Sequence, residues 1–272
     1  MIATLSIFVF LFGVIIGSFL NVVILRLKTG RGVGGRSFCF SCGTILHSIE
    51  LIPVISFLFL KGKCRTCKTP ISWQYPLVEL LTGIVFLIVF LKTLSGMPFV
   101  SPLAMFYYWF IFSILIVISV YDIRHKIVPD KLALLFALSS LLWLLATNDI
   151  YYFKTLLGLL NLLAGFILFV PFYLLWRWSD GEWMGLGDGK LAIGIGFMLG
   201  LSKGVSAIIL GFWIAAFISL FLMVIQKLSL FRLPILKMKS EMPFAPFLVL
   251  GTLLAYYFSP DLLSLNVFLF GI

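Results

Sequence analysis

The chain has 272 residues, 62% of them hydrophobic and 11% charged, with a mean hydropathy of +1.18 and a formal net charge of +10. An ordinary soluble domain is about 45–50% apolar and about 25% charged, so this composition excludes a soluble globular fold and demands an integral membrane protein. The positive balance calls for no nucleic acid partner, because the anionic head groups of a lipid bilayer answer it.

The first apolar run, 2–25, is too long for the core of a signal peptide and lacks a basic flank, so it reads as an uncleaved first helix. A polar loop follows over 26–75. Further runs that meet or approach the roughly 20 residues of a spanning helix lie at 76–95, 101–121, 132–147, 155–176, 190–202, 204–226 and 243–270. The expectation is an all-α polytopic membrane protein of about eight transmembrane helices. Two runs, 132–147 and 190–202, are short enough to be tilted or re-entrant. The organisation expected is a first helix (1–25), a small polar loop (26–75) and a membrane-embedded core (76–272).

Lys and Arg concentrate in the loops 26–75, 122–131, 177–190 and 227–239, while Lys92, Lys154 and Lys203 alone fall on the opposite side. The positive-inside rule places the four basic loops in the cytoplasm and both termini outside.

The loop 26–75 holds all four cysteines, in "CFSC" (Cys39, Cys42) and "CRTC" (Cys64, Cys67), with 21 residues between the pairs. Each tight turn offers two thiolates, and two turns complete a tetrahedron around Zn²⁺. The alternative, a pair of disulfides, is disfavoured on a cytoplasmic face. Neither His nor carboxylate joins the pairs to leave a position open, so the metal expected is structural. The neighbouring "GRGVGGR" (Gly30–Arg36) has no preceding strand and reads as a flexible linker, not a phosphate loop.

Only ten residues are acidic. Asp149, Asp180, Glu182, Glu241 and Asp261 fall in loops or at span ends, Glu50 in the cysteine loop, and Glu79 where the second span begins. Asp122 and Asp130 bracket the turn "YDIRHKIVPD", and Asp188 sits in "MGLGDGK" (Met184–Lys190) at the mouth of the next span but two. One span descends to Asp122 and another ascends from Asp188, so two carboxylates 66 positions apart share one cytoplasmic depth. Ionisable groups at such a level are candidates for function. Two carboxylates that share a water and a proton are the equipment of an aspartic peptidase, one activating the water and the other protonating the leaving amine. His125 reads as a solvated residue of a basic turn. Asp122 closes its helix and Asp188 opens its own, and the opposed dipole ends give Asp188 the part of base and Asp122 that of proton donor. Gly185 and Gly187 are expected to let the backbone approach a substrate, and Gly189 to leave room beside the water. The rival from another class is a proton- or cation-coupled transporter, since paired carboxylates and glycine-broken helices also serve ion coupling. A non-catalytic scaffold leaves the Asp pair unexplained.

At these residues the sequence resembles the type IV prepilin peptidases, the GxGD class of intramembrane aspartic peptidases. The segments that carry the likeness are "GSFLNVVILRL" (Gly17–Leu27), the cysteine segment Cys39–Gly83, "YDIRHKIVPD", "GLGDGK" and "MPFAPFL" (Met242–Leu248), in order along the chain. One departure is "CFSC", where the family often has Pro after the first Cys. The resemblance implies that Asp122 and Asp188 are the catalytic pair and that Asp130 is supporting. It implies cleavage of the short basic leader of prepilins or pseudopilins, after a Gly commonly followed by Phe. It further implies N-methylation of the new terminus from S-adenosylmethionine, with zinc as a structural metal, and residence in the bacterial inner membrane with a cytoplasmic active site.

Overall fold

The computed structural model describes residues 2–27, 29, 32, 34–96, 102–227, 242–260 and 262. Lys28, Arg31, Arg232, Lys237, Lys239, Glu241, Asp261, and the end of the run 243–270 lie outside them. Among the described residues the chain is helical, with two isolated antiparallel bridges in place of sheet. The helices are α1 (Ile2–Arg26), α2 (Ile55–Phe59), α3 (Gln74–Gly96), α4 (Pro102–His125), α5 (Asp130–Thr147), α6 (Leu156–Trp178), α7 (Leu186–Lys227) and α8 (Ala245–Phe258).

Six of these helices are long and apolar enough to cross a membrane: α1, α3, α4, α5, α6 and α7. The α7 helix is two segments that meet at Gly200, and α8 is a shorter apolar helix. These make up the eight expected apolar segments. Large apolar side chains such as Phe8, Leu142, Phe217 and Leu220 stay exposed, the surface a bilayer requires and water would not tolerate.

Two compact units divide the chain, 1–117 and 118–272, and the division falls within α4. In the first unit α1 lies along α3 through a small-residue seam. Side chains built on Gly13 and Gly17 would come within 2.8 Å of the Gly83 Cα and 2.7 Å of the Glu79 Cα. That four-residue spacing is the close-approach device of membrane helices. Trp109 stacks on Phe86 at 4.9 Å and donates its indole N–H to the Phe86 carbonyl. The cysteine loop is tied to α3 where Glu79 accepts the Val54 N–H at 2.7 Å, and α3 is tied to α1 where Gln74 Nε2 reaches Asn21 Oδ1 at 3.4 Å. Glu79 is therefore a buried anchor of the loop.

In the second unit α7 is the spine. The predicted break between two spans fell at Lys203; it is observed at Gly200, with φ 77° and ψ −179°. This backbone region is open in practice to glycine alone. Asn161 of α6 pins the break, accepting the Leu201 N–H at 3.0 Å and donating to the Tyr152 hydroxyl. A side chain at Gly200 would meet Asn161 Oδ1 at 2.6 Å. Gly200→Ala is accordingly expected to cost at least about 1–3 kcal/mol, and Asn161→Leu about 1–3 kcal/mol for the orphaned N–H. Thermal unfolding in detergent reads both, and an unchanged midpoint for Gly200→Ala would contradict the pinned break.

Candidate active site

Asp122 lies in the last turn of α4. The chain turns after it through Lys126, whose φ is 52° and whose N–H donates to the Asp122 carbonyl at 2.7 Å. It then runs through Val128 and Pro129 into α5, which begins at Asp130. Asp188 belongs to the first turn of α7, third from its start at Leu186, and does not cap the helix. Both aspartates are buried, 5% and 9% exposed, and their carboxylates are near enough for their charges to interact. The structure thus brings together the two groups singled out in the sequence.

A third element joins them. The N–H of Ala245, the first residue of α8, donates to Asp122 Oδ2 at 3.2 Å. Pro246 follows at a position where a helix needs no N–H. Phe244 is held by Phe212 of α7 at 4.7 Å, and Phe212 in turn packs on Phe172 of α6. This aromatic row sets the N-terminus of α8 against Asp122. The dipole contrast that made Asp188 alone the beneficiary of a helix N-terminus is therefore corrected: Asp122 has one too, supplied by a different helix. Helix ends alone no longer divide base from acid within the pair.

The glycines need a second correction. A Cβ on Gly187 would lie 2.8 Å from Val128 Cβ, and one on Gly189 would lie 3.1 Å from Phe169 and Phe172. Both therefore serve packing, Gly187 against the Asp122–Asp130 turn and Gly189 against α6. A Cβ on Gly185 would come no nearer than 4.0 Å to any described residue beyond its chain neighbours, the nearest atom being the Gly187 nitrogen. His125 is exposed and lies against Tyr121, with ring centroids 4.4 Å apart.

The cysteines form a separate centre in the first unit. Cys39, Cys42, Cys64 and Cys67 place their sulfurs within 4.8 Å of one another. A Zn²⁺ with bonds of about 2.3 Å in a tetrahedron requires sulfurs about 3.8 Å apart, and Cys39 Sγ and Cys67 Sγ are 3.8 Å apart. The two turns repeat one design. Cys39 and Cys64 donate their N–H groups to Thr44 and Thr69, and the N–H groups of Gly43 and Lys68 return to the Cys39 and Cys64 carbonyls. Gly43 and Lys68 occupy the same left-handed conformation, φ 71° and 61°. The bridges Phe38–Ile45 and Lys63–Pro70 close the turns. Thr69, with its hydroxyl 3.1 Å away and its N–H also directed at the sulfur, pulls the Cys67 thiol down to about 6. Thr44 lowers Cys42 in the same way. Four sulfurs at this spacing, on two matched turns, are a donor set that fits zinc.

The comparisons decide the family. The bacterial peptidase A24 N-terminal domain matches residues 11–93, and the type IV leader peptidase family matches residues 109–224, a stretch that contains both aspartates. A protein of Bacillus subtilis (strain 168) is 30% identical over 260 residues, 95% of this chain and 96% of its own. The chain belongs to the type IV leader peptidase family. That relative is named prepilin leader peptidase/N-methyltransferase. The same name is carried by a Klebsiella pneumoniae protein, 33% identical over 71% of this chain and 84% of its own. It is carried as well by one from Aeromonas hydrophila, 29% identical over 89% of this chain and 87% of its own. No solved structure matches the chain. The transporter reading finds no support among these relatives.

Two parts of this family member's site escaped the sequence. Ala245 contributes a main-chain N–H, which no side-chain pattern announces, although Pro243 and Pro246 mark a helix start. Thr44 and Thr69 stand two residues after Cys42 and Cys67, and that repeated Cys-x-Thr spacing was the available signal.

Proposed function

We propose that the chain is an intramembrane aspartic endopeptidase that removes the basic leader of prepilins or pseudopilins at the cytoplasmic face of the bacterial inner membrane. The observation that carries this reading is the pair of buried carboxylates, Asp122 and Asp188, set near one another at the ends of two apolar helices. One carboxylate takes a proton from a water, whose oxygen attacks the carbonyl carbon of the scissile bond. The other gives its proton to the leaving nitrogen as the C–N bond breaks, and each is restored by exchange with solvent. Ala245 orients Asp122 Oδ2, and in this scheme the other oxygen, Oδ1, carries the exchange. The apolar helix of a prepilin lies beside the helices in the lipid, and its leader stays in the cytoplasm with the scissile bond at the level of the aspartates. The loops rich in Lys and Arg support that orientation.

Zinc is assigned to Cys39, Cys42, Cys64 and Cys67, where it would tie the two turns to each other through four thiolates. The name carried by the relatives supports a second activity, transfer of a methyl group from S-adenosylmethionine to the new amino terminus. Co-expression with a prepilin tests both activities: mass spectrometry of the pilin is expected to show loss of the leader and gain of one methyl group. An intact leader would overturn the peptidase reading, and a clipped but unmethylated terminus would remove the second activity alone.

The packing of Gly187 supplies a finer test. Gly187→Ala is expected to push Val128 away and lower the cleavage rate about tenfold or more, because small misplacements of reacting groups are costly. Gly185→Ala meets no described residue closer than 4.0 Å and should leave the rate nearly unchanged. Equal losses at both positions would favour the substrate-contact role over packing.

A further inference from the structure

Beyond the catalytic pair, we propose that the ion pair between Asp130 and Lys190 is a positioning clamp that sets the separation of Asp122 and Asp188. Lys190 Nζ donates to Asp130 Oδ1 at 2.6 Å. The two residues come from different aspartate-bearing stretches. Asp130 ends the turn that begins at Asp122, and Lys190 lies two residues past Asp188 near the start of α7.

The same stretches meet a second time, where Gly187 admits the Val128 side chain so closely that a Cβ there would sit 2.8 Å from Val128 Cβ. Asp188 falls between these contacts in sequence: Gly187 precedes it and Lys190 follows it. On the other stretch Val128 and Asp130 are two residues apart, against three between Gly187 and Lys190. Two fixed points on each stretch define both distance and twist between them, whereas the apolar contact alone leaves a pivot. The carboxylate pair therefore inherits its geometry from a docking in which one point is steric and the other ionic.

The side chains of Lys190 and Asp130 are 36% and 73% exposed. An ion pair this open adds little to stability. Its contribution is expected in geometry, and so in the rate of the chemical step and not in folding. Substrate binding spreads over an apolar helix and a leader, so KM should hardly respond.

This inference rests on the peptidase reading, and the test separates the two. The full-length protein in lipid vesicles is assayed on a synthetic prepilin with Asp130→Asn, Lys190→Met, the double variant, and the exchange Asp130→Lys with Lys190→Asp. Each single substitution is expected to lower kcat about tenfold with KM within twofold. The double variant should be no worse than either single one, and the exchange should recover most of the rate. Lys190→Arg should also retain the rate, since it keeps a charged donor. Hydrogen exchange in the same proteins is the readout independent of cleavage. Breaking the pair from either side should raise exchange in both 126–133 and 184–192, with the unfolding midpoint unchanged. Wild-type rates in the single variants, strictly additive losses, or a loss carried by KM would overturn the clamp. Exchange confined to the mutated stretch would also overturn it. If the wild-type protein cleaves no prepilin, the peptidase reading fails, and the two-sided exchange response still decides whether the docking exists.

Discussion

Asp122→Asn and Asp188→Asn are each expected to lower prepilin cleavage by a factor on the order of 10²–10⁴, the range that a positioned acid or base contributes. The amide keeps the volume of the carboxylate and cannot exchange a proton with water, so the substitution removes chemistry and little else. Both side chains are buried, and a neutral amide there avoids the cost of holding a charge away from water. Each variant should therefore remain in the membrane with an unfolding midpoint close to that of the unaltered protein. Asn at 122 still accepts the Ala245 N–H through its carbonyl oxygen, which keeps α8 seated. The double variant should be no worse than either single one, because the two groups act as a unit and their effects do not add. Activity within tenfold of the unaltered protein in either single variant would contradict the two-carboxylate mechanism.

The second large effect concerns the cysteines. Purified protein is expected to carry about one Zn²⁺ per chain on four thiolates. Cys64→Ser should be the most damaging single change, since Cys64 is the buried member of the set and its N–H and carbonyl hold the second turn closed. Structural zinc in small peptides contributes about 10–16 kcal/mol of apparent binding free energy, far more than the backbone hydrogen bonds of the two turns. The segment 37–73 should accordingly become open to proteolysis when metal is stripped or Cys39 or Cys64 is replaced. Metal content by plasma emission and limited proteolysis check the two halves of this expectation. A protein lacking all four cysteines that kept full metal content would rule out the assignment.

The residues that were legible in the sequence share one physical property. Asp122, Asp188 and the four cysteines are rare, chemically distinct side chains in an apolar background, where an ionisable or metal-binding group is costly without a partner. Their pairing across 66 positions followed from counting membrane crossings, because a bilayer fixes depth in a way water does not. The helices followed for the same reason. Glu79 was placed only at the start of a span; its burial and its bond to Val54 depend on how the cysteine loop folds back, which periodicity does not encode. Ala245 was illegible because the group that matters is a peptide N–H delivered by an aromatic row from α6 and α7. The helix dipoles at Asp122 are likewise illegible in the sequence, because the helix end that meets its carboxylate belongs to α8 and not to its own helix. The break in α7 was misplaced by three residues since Lys203 carries the visible polarity, whereas Gly200 carries the conformation.

The central claim is that Asp122 and Asp188 together cut a prepilin leader, and reconstitution tests it most directly. Purified protein in vesicles, loaded with zinc and shown folded by its unfolding transition, is incubated with a synthetic prepilin that carries a basic leader ending in Gly before an apolar helix. N-terminal mass spectrometry of the product is the measurement. A single cut after the leader Gly is predicted with the unaltered protein, and none with Asp122→Asn or Asp188→Asn. An intact prepilin after incubation with the folded protein, or the same cut made by the Asp122→Asn, Asp188→Asn double variant, would contradict the account.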